Sequence, residues 1–386
     1  MSRLDELIQQ YCPDGVEYKR LGDACLMERG TSATKGTMQS GEIPVISGGR
    51  QPAFYCNQSN RTGETITVAG SGAGAGFVQY WNEPIFVCDA FSIKGNDGLT
   101  TKYIYYYLTS IQERIYATKK GGGVPHVHIS SIDKFEIPVP PLPVQEEIVR
   151  ILDNFAELQA ELQAELQKRL QQYNYYRDNL LSFEGRTDVE WKPLGEVCDF
   201  RNGFAFKSNL FTDEGCPIIR ITNISENNVD MSDLKYFHME DYPKSDLSQF
   251  AIKKGDILVA MSGATTGKIG TYKGYITAYL NQRTGKFEPK ESLNNRFLYH
   301  FLQTQVSNMY KMAGGGAQPN LSSNDLKSKI VIPVPPLLVQ KQIADILDKF
   351  YTLTADLTAG LPAEIEARRK QYEYYRDQLL TFKQKA

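Results

Sequence analysis

"IPVPPLPVQEEIVRILDNF" runs from Ile137 to Phe155, and a near copy, "IPVPPLLVQKQIADILDKF", runs from Ile332 to Phe350. Each proline lacks a backbone donor and holds its predecessor extended. Pro138–Pro141 and Pro333–Pro336 are therefore expected to be stiff boundaries between a folded domain and the segment that follows. That segment reads as a helix. Apolar residues fall at Val144, Ile148, Ile151, Phe155, Leu158 and Leu162, and again at Val339, Ile343, Ile346, Phe350, Leu353 and Leu357. Steps of four and three make a coiled-coil-like seam. Pro143 suits a first helical turn but has no equivalent at Leu338, so the two helices could begin differently.

The repeat extends well beyond this joint. "EYKRLGDAC" at Glu17 returns as "EWKPLGEVC" at Glu190, an offset of 173, and "VAGSG" at Val68 returns as "VAMSG" at Val259, an offset of 191. The triple glycines recur at 193, and "YNYYRDNLLSF" at Tyr173 returns as "YEYYRDQLLTF" at Tyr372, at 199. Landmark order is kept while spacing grows, as in a duplicated unit with loop insertions. Runs such as "ETITVAG" and "GDILVAM" are strand-like, and "TKYIYYYLTSIQERIYA" and "NNRFLYHFLQTQVSNMYKM" are helical. The expected fold class is α+β. Two mixed domains (1–140 and 186–335) alternate with two long helical segments (141–185 and 336–386).

From Val144 to Leu181 the first helix would span about 57 Å at 1.5 Å per residue. Its apolar stripe needs a partner, and the other half carries the same pattern. Within it, "AELQAELQAELQ" repeats one tetrad three times from Ala156 to Gln167. Phe155 and Tyr173 lie 18 residues apart, Phe350 and Tyr372 22 apart, a difference of one tetrad. A tetrad adds about 6 Å and about 40° of rotation, so the helix is expected to act as a ruler. Gly360 and Pro362 can bend or interrupt the second copy.

Composition narrows the function. With 41% hydrophobic and 23% charged residues the chain reads as globular, and no window resembles a membrane span or signal peptide, so a cytoplasmic location without membrane attachment is expected. The six cysteines form no CxxC pair, and His126 and His128 lack further ligands at metal-site spacing. "SGATTGKIG" fails as a phosphate loop, because Ser262 stands for the leading glycine and Ile269 for the hydroxyl. No HExxH or GxSxG appears. A passive reader or scaffold is the better reading. The formal net charge of −2 gives no global basic signature.

Two similar domains on a rigid spacer suit an extended object met at two places, such as duplex DNA. Candidate contacts in the first half are Thr31, Ser32, Lys35, Arg50, Arg61, Lys119, Lys120 and His126. In the second they are Lys207, Thr222, Thr265, Thr266, Lys268, Arg283, Lys311, Gln318 and Asn320. Lys, Arg, Ser and Thr reach phosphates, while Arg, Lys, Gln and Asn also read base edges.

The duplicated "GGGVPHVHISSIDKFEIPVP" and "GGGAQPNLSSNDLKSKIVIPVP", each followed by its helix start, resemble the specificity subunits of type I restriction-modification systems. The resemblance covers nearly the whole chain. It implies two target-recognition domains reading one asymmetric, bipartite DNA site, with antiparallel spacer helices setting the gap. Two modification subunits would bind the chain and methylate adenine from S-adenosylmethionine. Restriction subunits would add ATP- and Mg-dependent translocation and cleavage. The chain itself would hold no cofactor and catalyse nothing. Two alternatives stay open. One is a protein-binding scaffold with a coiled-coil stalk; the other is a self-sufficient DNA methyltransferase, which needs a motif such as [DNS]PP[YF], whereas both copies here read "VPPL".

Overall fold

The structure, a computed structural model, describes residues 2–96, 98–225, 227–314, 319–355 and 360–385. The chain forms two compact units, one of residues 1–163 with 365–386, the other of residues 164–364. Both are built on the same antiparallel four-stranded pattern. In the first the order is Cys25–Arg29, Ala90–Gly95, Thr65–Ala69, Val78–Trp81. In the second it is Cys198–Asn202, Thr284–Pro289, Ile257–Ala260, Ile269–Thr271, extended by Asn227–Val229 and Ile224–Ser225. These two extra strands fall between the early and middle landmarks of the repeat, where the offset jumps from 173 to 191. The central strands "TITVA" and "ILVA" are buried at every position, the hydroxyls of Thr65 and Thr67 in the first being satisfied by Gly63 O and Trp81 Nε1.

The proline knot is itself part of the fold. Glu136–Val139 pairs antiparallel with Glu17–Arg20, and Val331–Val334 with Glu190–Pro193. These are two-stranded ribbons, where a proline's missing donor is tolerated. The knot then turns directly into helix. The first helix is Leu142–Ser182, 41 residues long, and its counterpart begins at the equivalent Leu337 and runs to Ala355. Pro143 therefore makes no difference to where the helix starts, since a first-turn amide has no intrahelical acceptor in either copy. A third helix, Leu361–Leu379, follows.

The residue that ties knot to helix is a glutamine. Gln145 is fully buried; its Nε2 donates to Pro140 O and Gly98 O, both at 2.7 Å, and its Oε1 accepts from Thr100 N at 2.9 Å. Gln340 repeats this, donating to Pro335 O at 2.7 Å and Ser292 O at 3.0 Å and accepting from Asn294 N at 2.8 Å. Thr100 and Asn294 are the N-caps of Thr101–Ser110 and Asn295–Thr304. One side chain thus fixes the proline turn, the preceding loop and the start of the neighbouring helix.

In the first unit, residues 381–385 run beside the segment before the first strand. Val16 N donates to Lys383 O and Lys385 N to Val16 O, both at 2.9 Å, and Tyr18 Oη donates to Phe382 O at 2.9 Å. In the second unit the equivalent Phe183, at φ 44°, leads through continuous chain to Val189. The first unit also carries the helix Arg3–Tyr11, whose Arg3 approaches the buried Glu147 carboxylate at 3.7 Å.

The expected seam is only partly the buried stripe. Val144, Ile148 and Ile343 are buried, and Ile151, Phe155, Leu158, Leu162, Val339 and Phe350 are half-buried. Ile346 and Leu353 are exposed, contrary to the seam, while Leu152, Ala344, Leu347 and Tyr351 are buried in their stead. The reason is that each helix start serves its own mixed domain, Gln340, Ala344 and Leu347 being buried on the side where Gln340 bonds the N-cap of Asn295–Thr304. Leu357 lies outside the described residues. Aromatic rings join the two long helical segments within each unit. The Phe155 ring lies 5.7 Å from Tyr375 in the first unit, and Phe350 lies 5.5 Å from Tyr176 in the second.

A half-buried polar cluster occupies the same place in both. Asp153 accepts from Lys102 at 2.8 Å and from Tyr106; Asp348 accepts from Arg296 and, at 2.8 Å, from His300, whose other ring nitrogen faces Tyr173. Burial alone would raise the Asp348 carboxyl, but the bonds from His300 and Arg296 outweigh it and hold it at about 2. Burial likewise depresses the His300 imidazole below its ordinary 6.5, against the pull of Asp348. Both depressed values have the same sign. The stability contribution of His300 is complete above pH 6.5 and lost as pH falls, and that of Asp348 is lost further down, toward pH 2.

Two outcomes are expected. Gln340→Leu orphans three buried backbone groups and should cost about 2–4 kcal/mol in chemical denaturation. His300→Tyr, copying Tyr106, should shrink the fall in melting temperature between pH 7 and pH 5, which pH-resolved thermal melts would measure.

Candidate nucleic-acid interface

Each unit opens a cleft at the same point of its sheet. The strand Thr65–Ala69 runs into Gly70 and Ser71, and Ile257–Ala260 into Met261 and Ser262. Gly70 N donates to Asp89 O at 3.0 Å, and Met261 N to Arg283 O at 2.9 Å. Ser71 bridges to His126 and Ser262 to Asn320. Gly72 N donates to Pro125 O and Gly263 N to Pro319 O, while Val127 N and Leu321 N donate back to Gly70 O and Met261 O. This matched bonding makes Asp89 equivalent to Arg283 and His126 to Asn320. Gly30 lines the first cleft, and an added Cβ at Gly30 or at the equivalent Gly203 would lie 2.1 or 2.0 Å from the carbonyls of Cys88 and Asn281. The backbone bonding is shared around these strand ends, but between the equivalent Cys88 and Asn281, which donate to Ile46 O and Ile219 O, and the equivalent Ala90 and Thr284, which accept from Gly30 N and Gly203 N, the first unit has Asp89 alone and the second has Gln282 and Arg283.

The second cleft, about 720 Å³, is lined by Asn202, Ser262, Gln282, Arg283, Asn320 and Ser323 among others. Arg283 is exposed and donates from Nη1 to Ser262 Oγ at 3.4 Å. The first cleft, about 210 Å³, is lined by Arg29, Cys88, Asp89, His126 and His128 among others. Asp89 is exposed and accepts from the Ser71 hydroxyl, and the two histidine rings stack at 6.0 Å. Among the described residues no group of three His, Cys, Asp or Glu side chains could hold a metal ion.

Of the sequence candidates, His126, Arg283 and Asn320 stand at these mouths. Lys120 exchanges backbone bonds with His126 and is exposed, as are Thr31, Ser32, Lys35, Lys207, Thr222 and Lys311. Arg50 is exposed over the Phe77 ring and Lys119 half-buried over Tyr116. Thr265 is half-buried, donating to Ile221 O, and Lys268 is half-buried. Thr266 is buried and closes its own turn, donating to Gly263 O at 2.7 Å and Pro319 O at 3.3 Å. Arg61 is held by Ser92 Oγ at 2.7 Å, Asn60 O at 2.8 Å, Arg29 O at 3.0 Å and the Glu28 carboxylate at 3.3 Å. Thr266 and Arg61 therefore serve the fold. Gln318 lies outside the described residues. Sequence reading missed Ser71, Asp89, Asn202, Ser262 and Gln282. The serines were findable, since they stand at the same place in "VAGSG" and "VAMSG"; the flanks of Asp89 and Arg283 have diverged too far to align.

Two kinds of comparison point one way. The family model described as type I restriction modification DNA specificity domain matches twice, over residues 13–172 and 187–367. The EcoR124I/EcoR124II specificity subunit of Escherichia coli is 32% identical, covering 99% of this chain and 97% of that protein. A putative type I restriction enzyme specificity subunit of Haemophilus influenzae is 31% identical over 95% and 96%. The crystal structure of a type I restriction-modification S subunit from M. genitalium shares the fold, with TM-score 0.61, 20% identity and 95% of each chain covered.

The bonding around Arg61 makes a direct prediction. Arg61→Ala should destabilise the first unit by about 1.5–3 kcal/mol, as for a lost charged hydrogen-bond donor, in a denaturant titration. Any change in DNA discrimination should be no larger than that loss of folded protein explains.

Proposed function

The chain belongs to the type I restriction-modification DNA specificity family, and we propose that it reads a bipartite, asymmetric DNA target through two recognition domains, residues 1–140 and 186–335. It is a non-catalytic subunit. The observation that carries the bipartite reading is the pair of clefts built at equivalent strand ends and lined by two different sets of side chains. One scaffold presenting different donors and acceptors is what reading two unlike half-sites requires.

The spacer segments 141–185 and 336–386 pair antiparallel in this proposal and set the unread gap. Ring contacts at Phe155 and Phe350 support that pairing, since each phenylalanine meets the repeated tyrosines of the other segment type. Two modification subunits dock on the chain and carry S-adenosylmethionine to adenine, and restriction subunits supply ATP- and Mg-dependent translocation and cleavage. With a net charge of −2, the chain relies on those partners for much of the phosphate neutralisation.

The test is coexpression with a matched modification subunit followed by sequencing of modified bases. A discontinuous methylated motif is expected. Exchanging residues 1–140 should change one half-site only. Deleting one "AELQ" tetrad should shorten the gap while both half-sites persist, because about 6 Å of helix is removed. A changed half-site with an unchanged gap would sink the ruler. Partner capture without any sequence-selective methylation would favour a scaffold instead.

A further inference from the structure

We propose that Asp89 and Arg283, one position duplicated with opposite charge, are specificity-determining residues, each reading a G·C pair from a different side. The inference rests on the reading of the chain as a DNA specificity subunit and adds which residues discriminate and what they discriminate. The equivalence is set by backbone bonding rather than by alignment: both carbonyls accept from the residue after a central strand, and both side chains meet the serine that follows it.

The chemistry of the two positions differs in one decisive way. Arg283 offers a planar array of donors and no acceptor, and in the major groove only guanine pairs two acceptors, O6 and N7, against such a fork. Asn320 and Gln282 beside it add donors and acceptors of their own, without opposing charge. Asp89 is acceptor-only when ionised, and cytosine N4 is the donor that matches it. A carboxylate at a DNA interface is repelled by phosphate, so Asp89 has no use as a backbone contact; its place is against a base amine. Its Oδ2 accepts from Ser71, which fixes the carboxylate's orientation while Oδ1 stays available for a base. Ser262 plays the same part for Arg283, from the donor side reversed into acceptor.

The experiment uses the complex of the full chain with its modification subunit, sequencing methylated sites for wild type, Asp89→Asn and Arg283→Gln. Both side chains are exposed, and continued methylation at the remaining positions reports an intact fold. Arg283→Gln should lower discrimination at one G·C pair about 5- to 150-fold, in the half-site assigned to residues 186–335 by domain exchange. Asp89→Asn should do the same at one G·C pair of the other half-site. The gap and all other positions should stay as in wild type. A split wild-type motif that keeps full stringency everywhere in both variants overturns this inference alone. An even fall in methylation at all sequences also overturns it, since that is the mark of a phosphate contact. A wild-type complex that methylates no split motif overturns the functional reading, and this inference with it.

Discussion

A buried glutamine amide holds each half of this protein to its helix. Gln145 and Gln340 each satisfy a carbonyl of the proline knot, a loop carbonyl and the first amide of a neighbouring helix cap. A buried amide with all three of these bonds made is worth little net, but one with them broken leaves several polar groups stranded, and that asymmetry locks the geometry. The knot supplies stiffness, since its prolines remove backbone freedom on both sides. The glutamine converts stiffness into a fixed direction. Everything outward of it, from the ribbon with Glu17–Arg20 to the orientation of Leu142–Ser182, inherits that direction.

The same joint explains why the helical stripe departs from a simple seam. Near the knot the helix answers to its own mixed domain, burying Val144, Ile148 and Leu152 at steps of four. Less than one turn beyond Leu152, Phe155 faces the tyrosines of another helix. Two neighbours compete for one surface, so no single period describes it. Charge follows a similar division of labour. The clusters at Asp153 and Asp348 place half-buried ion pairs where they fasten domain to helix, and leave the cleft mouths to exposed side chains.

Much of this was legible in the primary structure. The duplication, the α+β class, the extent of the long helix and the position of its start all follow from repeats, prolines and apolar spacing. His126, Arg283 and Asn320 were reachable as polar side chains clustered beside turn-forming stretches of the sequence. Arg61 and Thr266 look identical to surface readers in a sequence, and only their partners reveal them as fasteners. Asp89 was hidden for a different reason: its kinship with Arg283 is carried by a backbone hydrogen bond, which leaves no trace in side-chain identity. The glutamines were visible in both copies of the opening motif, yet nothing in their spacing says that they are buried.

The first compact unit is not contiguous. It needs residues 365–386 as well as 1–163, and Lys383 and Lys385 bond directly to Val16. The second unit, residues 164–364, is a single stretch. Domains generally fold as units while the ribosome delivers the chain from its N-terminus. Here the usual order is inverted: the later-encoded unit has its residues 164–364 before the earlier one receives residues 365–386. The first unit must wait, incompletely covered, while its successor is completed, until residues 381–385 emerge to bond beside Val16.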